Sequence, residues 1–138
     1  REGYGLAGLR VGYGVTTAEI ADLMHRVRQP FNVNNLALAG AIAALDDHAF
    51  IAASFDNNRR GMEQIVAGLK RLGLEHIPSH GNFVTFKAGE AAKVNQALLK
   101  QGVIVRPIGG YGLPEWLRVT IGTEPENGRF LEALEKAL

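Results

Sequence analysis

Residues Val103–Thr123 read VIVRPIGGYGLPEWLRVTIGT. Val103–Arg106 is a β-branched run that Pro107 ends, and Ile108 to Glu115 is a glycine-rich loop. Trp116–Ile121 (WLRVTI) then alternates apolar with polar, which predicts a strand with one covered face. Working upstream, Asn82–Lys87 (NFVTFK) alternates in the same way, after a Ser79-His80-Gly81 turn and an extended His76-Ile77-Pro78. Helical stretches interleave these strands. Ile51, Phe55, Met62, Ile65, Val66, Leu69 and Leu72 form one long stripe, preceded by a cap at Asp46 or Asp47 and closed by Gly73. Ala88–Gln101 is a second helix, ended by Gly102. Thr123 with Glu126 three residues on opens a third, whose apolar face is Phe130, Leu131, Leu134 and Leu138. Short strands beside amphipathic helices predict a small α+β layer, with helices on one face of a short, mostly antiparallel sheet.

Residues 1–47 do not fit that pattern. Leu9–Tyr13 reads as a lone short strand after glycines at 3, 5 and 8. Thr16, with Glu19 in capping-box register, opens a helix carrying Ile20, Leu23, Met24 and Val27 and stopped by Pro30. Leu36–Leu45 is apolar nearly all round and predicts a buried helix, with Asn32, Asn34 and Asn35 as the turn and cap before it. A boundary is expected near Asp46–His48, dividing 1–47 from 48–138.

Composition narrows the function. Apolar residues make up 46% and charged residues 21% of 138, the net charge is +1, and cysteine is absent. That balance argues against nucleic acid or an anionic membrane as partner and excludes thiolate chemistry. No apolar run approaches the roughly 18 residues of a membrane span. The opening Arg1-Glu2-Gly3 has no apolar stretch behind it, so a cytoplasmic protein is expected, one whose sequence begins inside a longer gene product. Gly3-Tyr4-Gly5-Leu6-Ala7-Gly8 matches GxGxxG, but no strand precedes it. His76 and His80 have i, i+4 spacing with Pro78 between them, which forbids the helix that would align them on a metal. No Ser has a His and an acid at a readable spacing.

Three arginines stand out. Arg10 follows the glycine-rich loop, Arg106 ends its strand, and Arg118 interrupts an apolar alternation. A guanidinium inside a β-run is costly to bury unless it meets an anion, and its planar fork suits carboxylate or phosphate. If the loop 109–112 folds back, Arg106 and Arg118 share one mouth, a site for a ligand with two anionic groups. Arg59-Arg60 reads instead as a solvated helix face.

These residues also carry a family. Tyr4–Gly14 (YGLAGLRVGYG) resembles the signature of fold-type I aminotransferases dependent on pyridoxal 5′-phosphate. Val103–Thr123, PFNVNNLALAGAIAAL and NFVTF resemble the C-terminal end of the histidinol-phosphate aminotransferase family. Related enzymes acting on aromatic amino acids or threonine phosphate share much of this pattern. The resemblance implies that 1–47 is the tail of the large α/β cofactor domain and 48–138 the small domain. It implies that Arg10 holds the cofactor phosphate, Arg118 the substrate α-carboxylate, and Arg106 the phosphate of histidinol phosphate. It implies amino transfer between L-glutamate and imidazole-acetol phosphate, in a homodimer. One position departs from the pattern. The family places a Schiff-base Lys eight residues before the phosphate-binding Arg, and here that residue is Glu2, after Arg1. A carboxylate forms no imine, so the chain by itself is expected to be catalytically inactive, with the alternative that it is a non-catalytic binding module for a small dianion.

Overall fold

The alternating runs pair with one another. In a computed structural model, which describes residues 4–138, the strands are β1 (His76–Ile77), β2 (Phe83–Lys87), β3 (Arg106–Pro107) and β4 (Trp116–Thr120). They form one antiparallel sheet in the order β1-β2-β4-β3. The helices are α1 (Ala18–Val27), α2 (Asn35–Leu45), α3 (His48–Arg71), α4 (Ala91–Lys100) and α5 (Glu124–Ala137). The chain divides into two compact units, Arg1–Phe55 and Asp56–Leu138, and the division falls inside α3 rather than at its start.

The second unit carries the sheet. Val84 lies opposite Val119, and Phe86 opposite Leu117. The two-residue period of a strand puts these four on one face, and all are buried. Ile65 and Leu69 of α3, Val94 and Leu98 of α4, and Phe130, Leu131 and Leu134 of α5 complete that core. Phe86 and Phe130 meet edge to face, with centroids 5.8 Å apart. The helices covering this face come as close as their small residues permit. A Cβ on Gly68 would lie 2.4 Å from Leu131 Cδ2, and one on Gly61 would lie 2.5 Å from Ile121 Cγ2. Asn127, 2% exposed, ties the end of β4 to α5: its Oδ1 accepts from Gly122 N and its Nδ2 donates to Gly122 O.

Helix ends follow the sequence signals closely. Gly73 takes φ +71° after α3 and Gly102 φ +74° after α4. The following residues close the turns, Leu74 N donating to Leu69 O and Val103 N to Leu98 O. Glu126 Oε2 accepts from both Thr123 N and Thr123 Oγ1 at 2.7 Å, closing the capping box at α5. Two elements are shorter than their patterns predict. Of Val103–Arg106 only Arg106, with Pro107, enters the ladder, while Val105 sinks into the core. α4 begins at Ala91, because Gly89 takes φ +70° just before it.

The first unit corrects three expectations. Ala7–Leu9 is a single 3-10 turn, and Leu9–Tyr13 forms no strand. Arg10 adopts φ 60°, a left-handed conformation that breaks an extended run. The cap of α1 is Thr17, not Thr16; its Oγ1 accepts from Ile20 N at 3.4 Å. α2 is not a buried helix in this chain: Ala37 is its one buried residue, while Leu36 is 78% exposed and Ile42 67%. Asn34 does cap α2, its Oδ1 accepting from Ala37 N at 2.8 Å. Asp47 Oδ1 accepts from Phe50 N at 2.9 Å at the start of α3. Among the described residues, no single helix is long and apolar enough to cross a membrane.

Candidate functional site

Registry across the sheet decides what Arg106 and Arg118 do. Arg118 on β4 is directly opposite Arg106 on β3 and Thr85 on β2, and Thr85 is in turn opposite Ile77 on β1. The four therefore form one row on the face turned away from the helices. Residues directly opposite in an antiparallel pair have Cβ atoms about 5 Å apart, and like charges placed so repel. The glycine loop does return the chain so that the two residues stand opposite one another on adjacent strands. Its middle, Gly109–Tyr111, is a 3-10 turn, followed by Gly112 at φ 79°.

The surroundings of the pair do not cancel its charge. Among the described residues, neither Arg106 nor Arg118 is paired with a carboxylate. The nearby cation on the same face, Lys87, has its own partner in Glu115 at 3.4 Å. Arg118 is half-buried, and its guanidinium carbon sits 4.6 Å from the centroid of the Phe83 ring. Phe83 is two residues before Thr85 on β2, so it lies diagonally across from Arg118 on the same face. Two like charges facing one another over a partly apolar platform make an arrangement whose chemistry suits an anion.

Arg10 belongs to the other unit and stands by itself. Its Nη1 donates to Ala7 O at 2.9 Å, and its side chain is exposed. The adjacent Leu9 carbonyl accepts from Asn34 Nδ2 at 3.2 Å, which anchors the turn to the α2 cap. One tethered donor on a fixed turn leaves the other N–H groups of the fork available, as a phosphate would require. That chemistry fits the phosphate end of pyridoxal phosphate. The other residue the sequence singled out, Glu2, lies outside the described residues.

The polar groups around one other cavity are largely paired with one another. A cavity of about 380 Å³ in the second unit is lined by Asn57, Arg60, Gly61, Gln64 and Glu124. There Arg60 pairs with Asp56 at 3.0 Å, Gln64 Nε2 donates to Glu124 O, and Asn57 Nδ2 donates to Gly122 O. Arg59 bridges Asp56 and Glu63, and it holds the Asp56 carboxyl below its ordinary pKa, as expected for a solvated charge ladder. Among the described residues, no three His, Asp or Glu side chains gather as a metal site.

Sequence reading missed Phe83 and Thr85. The available signal was parity: in NFVTFK the apolar partners are Val84 and Phe86, so an aromatic at 83 stands on the polar side of the strand without a packing reason.

Comparison with known proteins places this geometry. The family model for aminotransferase class I and II matches residues 3–134. This chain belongs to that family. It is 82% identical over 135 residues to histidinol-phosphate aminotransferase 1 of Dechloromonas aromatica, covering 98% of this chain and 37% of the relative. The chain thus spans well under half the length of that curated aminotransferase. Among solved aminotransferase structures, that of the histidinol-phosphate aminotransferase from Clostridium acetobutylicum superimposes with a TM-score of 0.86 at 29% identity, covering 97% of this chain and 42% of that one. The Sinorhizobium meliloti enzyme in complex with pyridoxal-5′-phosphate gives 0.86 at 27%, covering 98% and 38%. The fold is therefore that of fold-type I aminotransferases, with a small α+β layer, as the sequence pattern implied.

Proposed function

We propose that this chain is the C-terminal part of a cytoplasmic, homodimeric histidinol-phosphate aminotransferase, with 1–47 the tail of the large domain and 48–138 the small domain. The whole enzyme moves an amino group between L-glutamate and imidazole-acetol phosphate. The observation that carries the reading is the direct cross-strand pairing of Arg106 with Arg118, unneutralised, on the face away from the core. L-Glutamate, with a carboxylate at each end, or the doubly charged phosphate of the other substrate supplies the countercharge. Arg118 grips the α-carboxylate in a bidentate contact that fixes where the amino group points, and Arg106 helps hold the phosphate. Arg10 holds the phosphate of pyridoxal phosphate, which when bound supplies the electron sink for the reaction. Glu2 stands where the family has its Schiff-base Lys, so this chain alone is catalytically inactive.

The test is calorimetric titration of the chain with L-glutamate, the substrate that carries the α-carboxylate. A hydrogen bond to a charged group contributes about 1.5–3 kcal/mol, so Arg118→Gln is expected to weaken binding by roughly tenfold or more. Equal affinity in wild type and Arg118→Gln would remove Arg118 from the site. In parallel, borohydride reduction after incubation with pyridoxal phosphate is expected to label no single Lys. Stoichiometric label at one Lys would overturn the inactivity of the chain.

A further inference from the structure

We infer that Phe83 is a positioning residue: its ring holds the Arg118 guanidinium over β2, away from Arg106, and so sets the gap into which an anionic group fits. The inference rests on the anion-gripping role given to Arg118 above, and it concerns what aims that side chain.

Arg118 has a charged neighbour directly across the ladder in Arg106 and no carboxylate to settle against among the described residues. A long, flexible cation in that position would swing to solvent. Instead its guanidinium carbon lies 4.6 Å from the Phe83 ring centroid, inside the roughly 6 Å range of cation–π attraction. Phe83 is on β2 and Arg106 on β3, the strands that flank β4 on either side. Attraction to the ring and repulsion from Arg106 therefore act in the same direction and open the space between the two forks. The contact uses the ring face and commits no N–H, so the donors remain for a ligand.

The ring is itself braced. Phe83 pairs with Thr120 across the central ladder. Asn58 Nδ2 on α3 donates to Gly81 O at 3.2 Å and fixes the backbone just before β2. A Cβ on Gly81 would lie 3.3 Å from Phe83 Cε1, so the glycine leaves the ring its room. Phe83 has no part in the core cluster, whose aromatic members are Phe86 and Phe130.

The experiment is NMR of the side-chain Nε–Hε signals of Arg118 and Arg106 in this chain, with inorganic phosphate as titrant. In wild type the Arg118 signal is expected to be displaced by the ring current and to respond to phosphate. Phe83→Leu is expected to abolish the displacement and weaken phosphate binding by about two- to fivefold. Phe83→Tyr, which keeps the ring, is expected to restore both. A wild-type Arg118 signal without ring-current displacement overturns the inference whatever the variants do. A wild type that responds to phosphate, with Phe83→Leu binding equally well, overturns the inference and leaves the role of Arg118 standing. An Arg118 signal that is displaced by the ring but indifferent to phosphate overturns the inference, and the glutamate titration then decides the carboxylate role of Arg118 by itself.

Discussion

Helices α1 and α5 have the same kind of sequence and opposite fates. Each opens after a Thr cap, and each carries apolar residues at helical spacing. In α5, Phe130 is 4% exposed, Leu131 9% and Leu134 0%; in α1, Leu23 is 51% exposed, Met24 60% and Val27 82%. An amphipathic pattern states that a helix requires an apolar surface and says nothing of where that surface is. For α5 the surface is encoded close by, in β2 and β4, and antiparallel pairing assembles it from segments within the same unit. For α1 and α2 no matching surface lies among the described residues of their own unit, where Val11 and Ala37 are the buried apolar residues. A unit with a closed core and a unit that buries little of its apolar surface thus share one polypeptide.

The strongest way to break that contrast is to truncate one aromatic in each unit. Phe86→Ala removes a fully buried ring packed on Phe130 and is expected to cost about 3–5 kcal/mol. Phe31, 99% exposed, is expected to change stability by less than about 0.5 kcal/mol when replaced by Ala. Trp116, the one tryptophan, lies in β4 and reports the second unit in denaturant unfolding followed by fluorescence. Equal midpoints for the two variants would mean that the sheet core does not close as described.

Packing between α3 and α5 sets a smaller effect. Ala is the better helix former than Gly by about 1 kcal/mol, so Gly68→Ala would stabilise a free helix. Here the new Cβ would press 2.4 Å from Leu131 Cδ2, and overpacking of that kind costs about 1–3 kcal/mol. The expected net result is destabilisation, read as a lower urea midpoint of the Trp116 signal. At Gly14 a Cβ meets nothing within 4 Å, and Ala there is expected to leave the same signal unmoved. A stabilised Gly68→Ala would show that α3 and α5 are free to part.

Much of this was legible in the sequence, and what was not has identifiable causes. β2, β4 and α5 were readable because period and caps agree within each. Arg118 was readable because a cation interrupts an apolar alternation. The sequence brought Arg106 near it only on the condition that the glycine loop folds back; their direct opposition was not readable, since strand register depends on how the loop from Ile108 to Glu115 turns, and an aromatic at Phe83 looked like one more β-former. The slip from Thr16 to Thr17 came from two adjacent caps competing for one helix start. Leu9–Tyr13 misled because its glycines and β-formers suit a strand, yet among the described residues of its unit no strand stands beside it to pair with. Gly61 and Gly68, seven apart on one long helix, were passed over, although each costs helix stability without an evident local reason and so points to close packing.

The smallest expected effect separates the caps of α1 and α5. Thr123 N and Oγ1 both donate to Glu126, and these bonds, the backbone one foremost, hold its carboxyl below the ordinary pKa. Asp56 is lowered too, chiefly by its hydrogen bond to Arg59. A carboxyl that binds its proton less readily folded than unfolded lends stability above the unfolded pKa and loses it as pH falls through the folded one. The second unit is therefore expected to lose stability as pH drops below about 4, with the urea midpoint of Trp116 falling. Glu126→Gln should flatten part of that slope while lowering the midpoint at neutral pH. The cap of α1 has no such dependence, because residue 20, three beyond Thr17, is Ile and the cap bond runs from its backbone N–H to a hydroxyl. Acid should thus weaken the end of the molecule whose cap is charged and leave the Thr17 bond unchanged, and a slope unaltered by Glu126→Gln would show that the capping box contributes no pH-dependent stability.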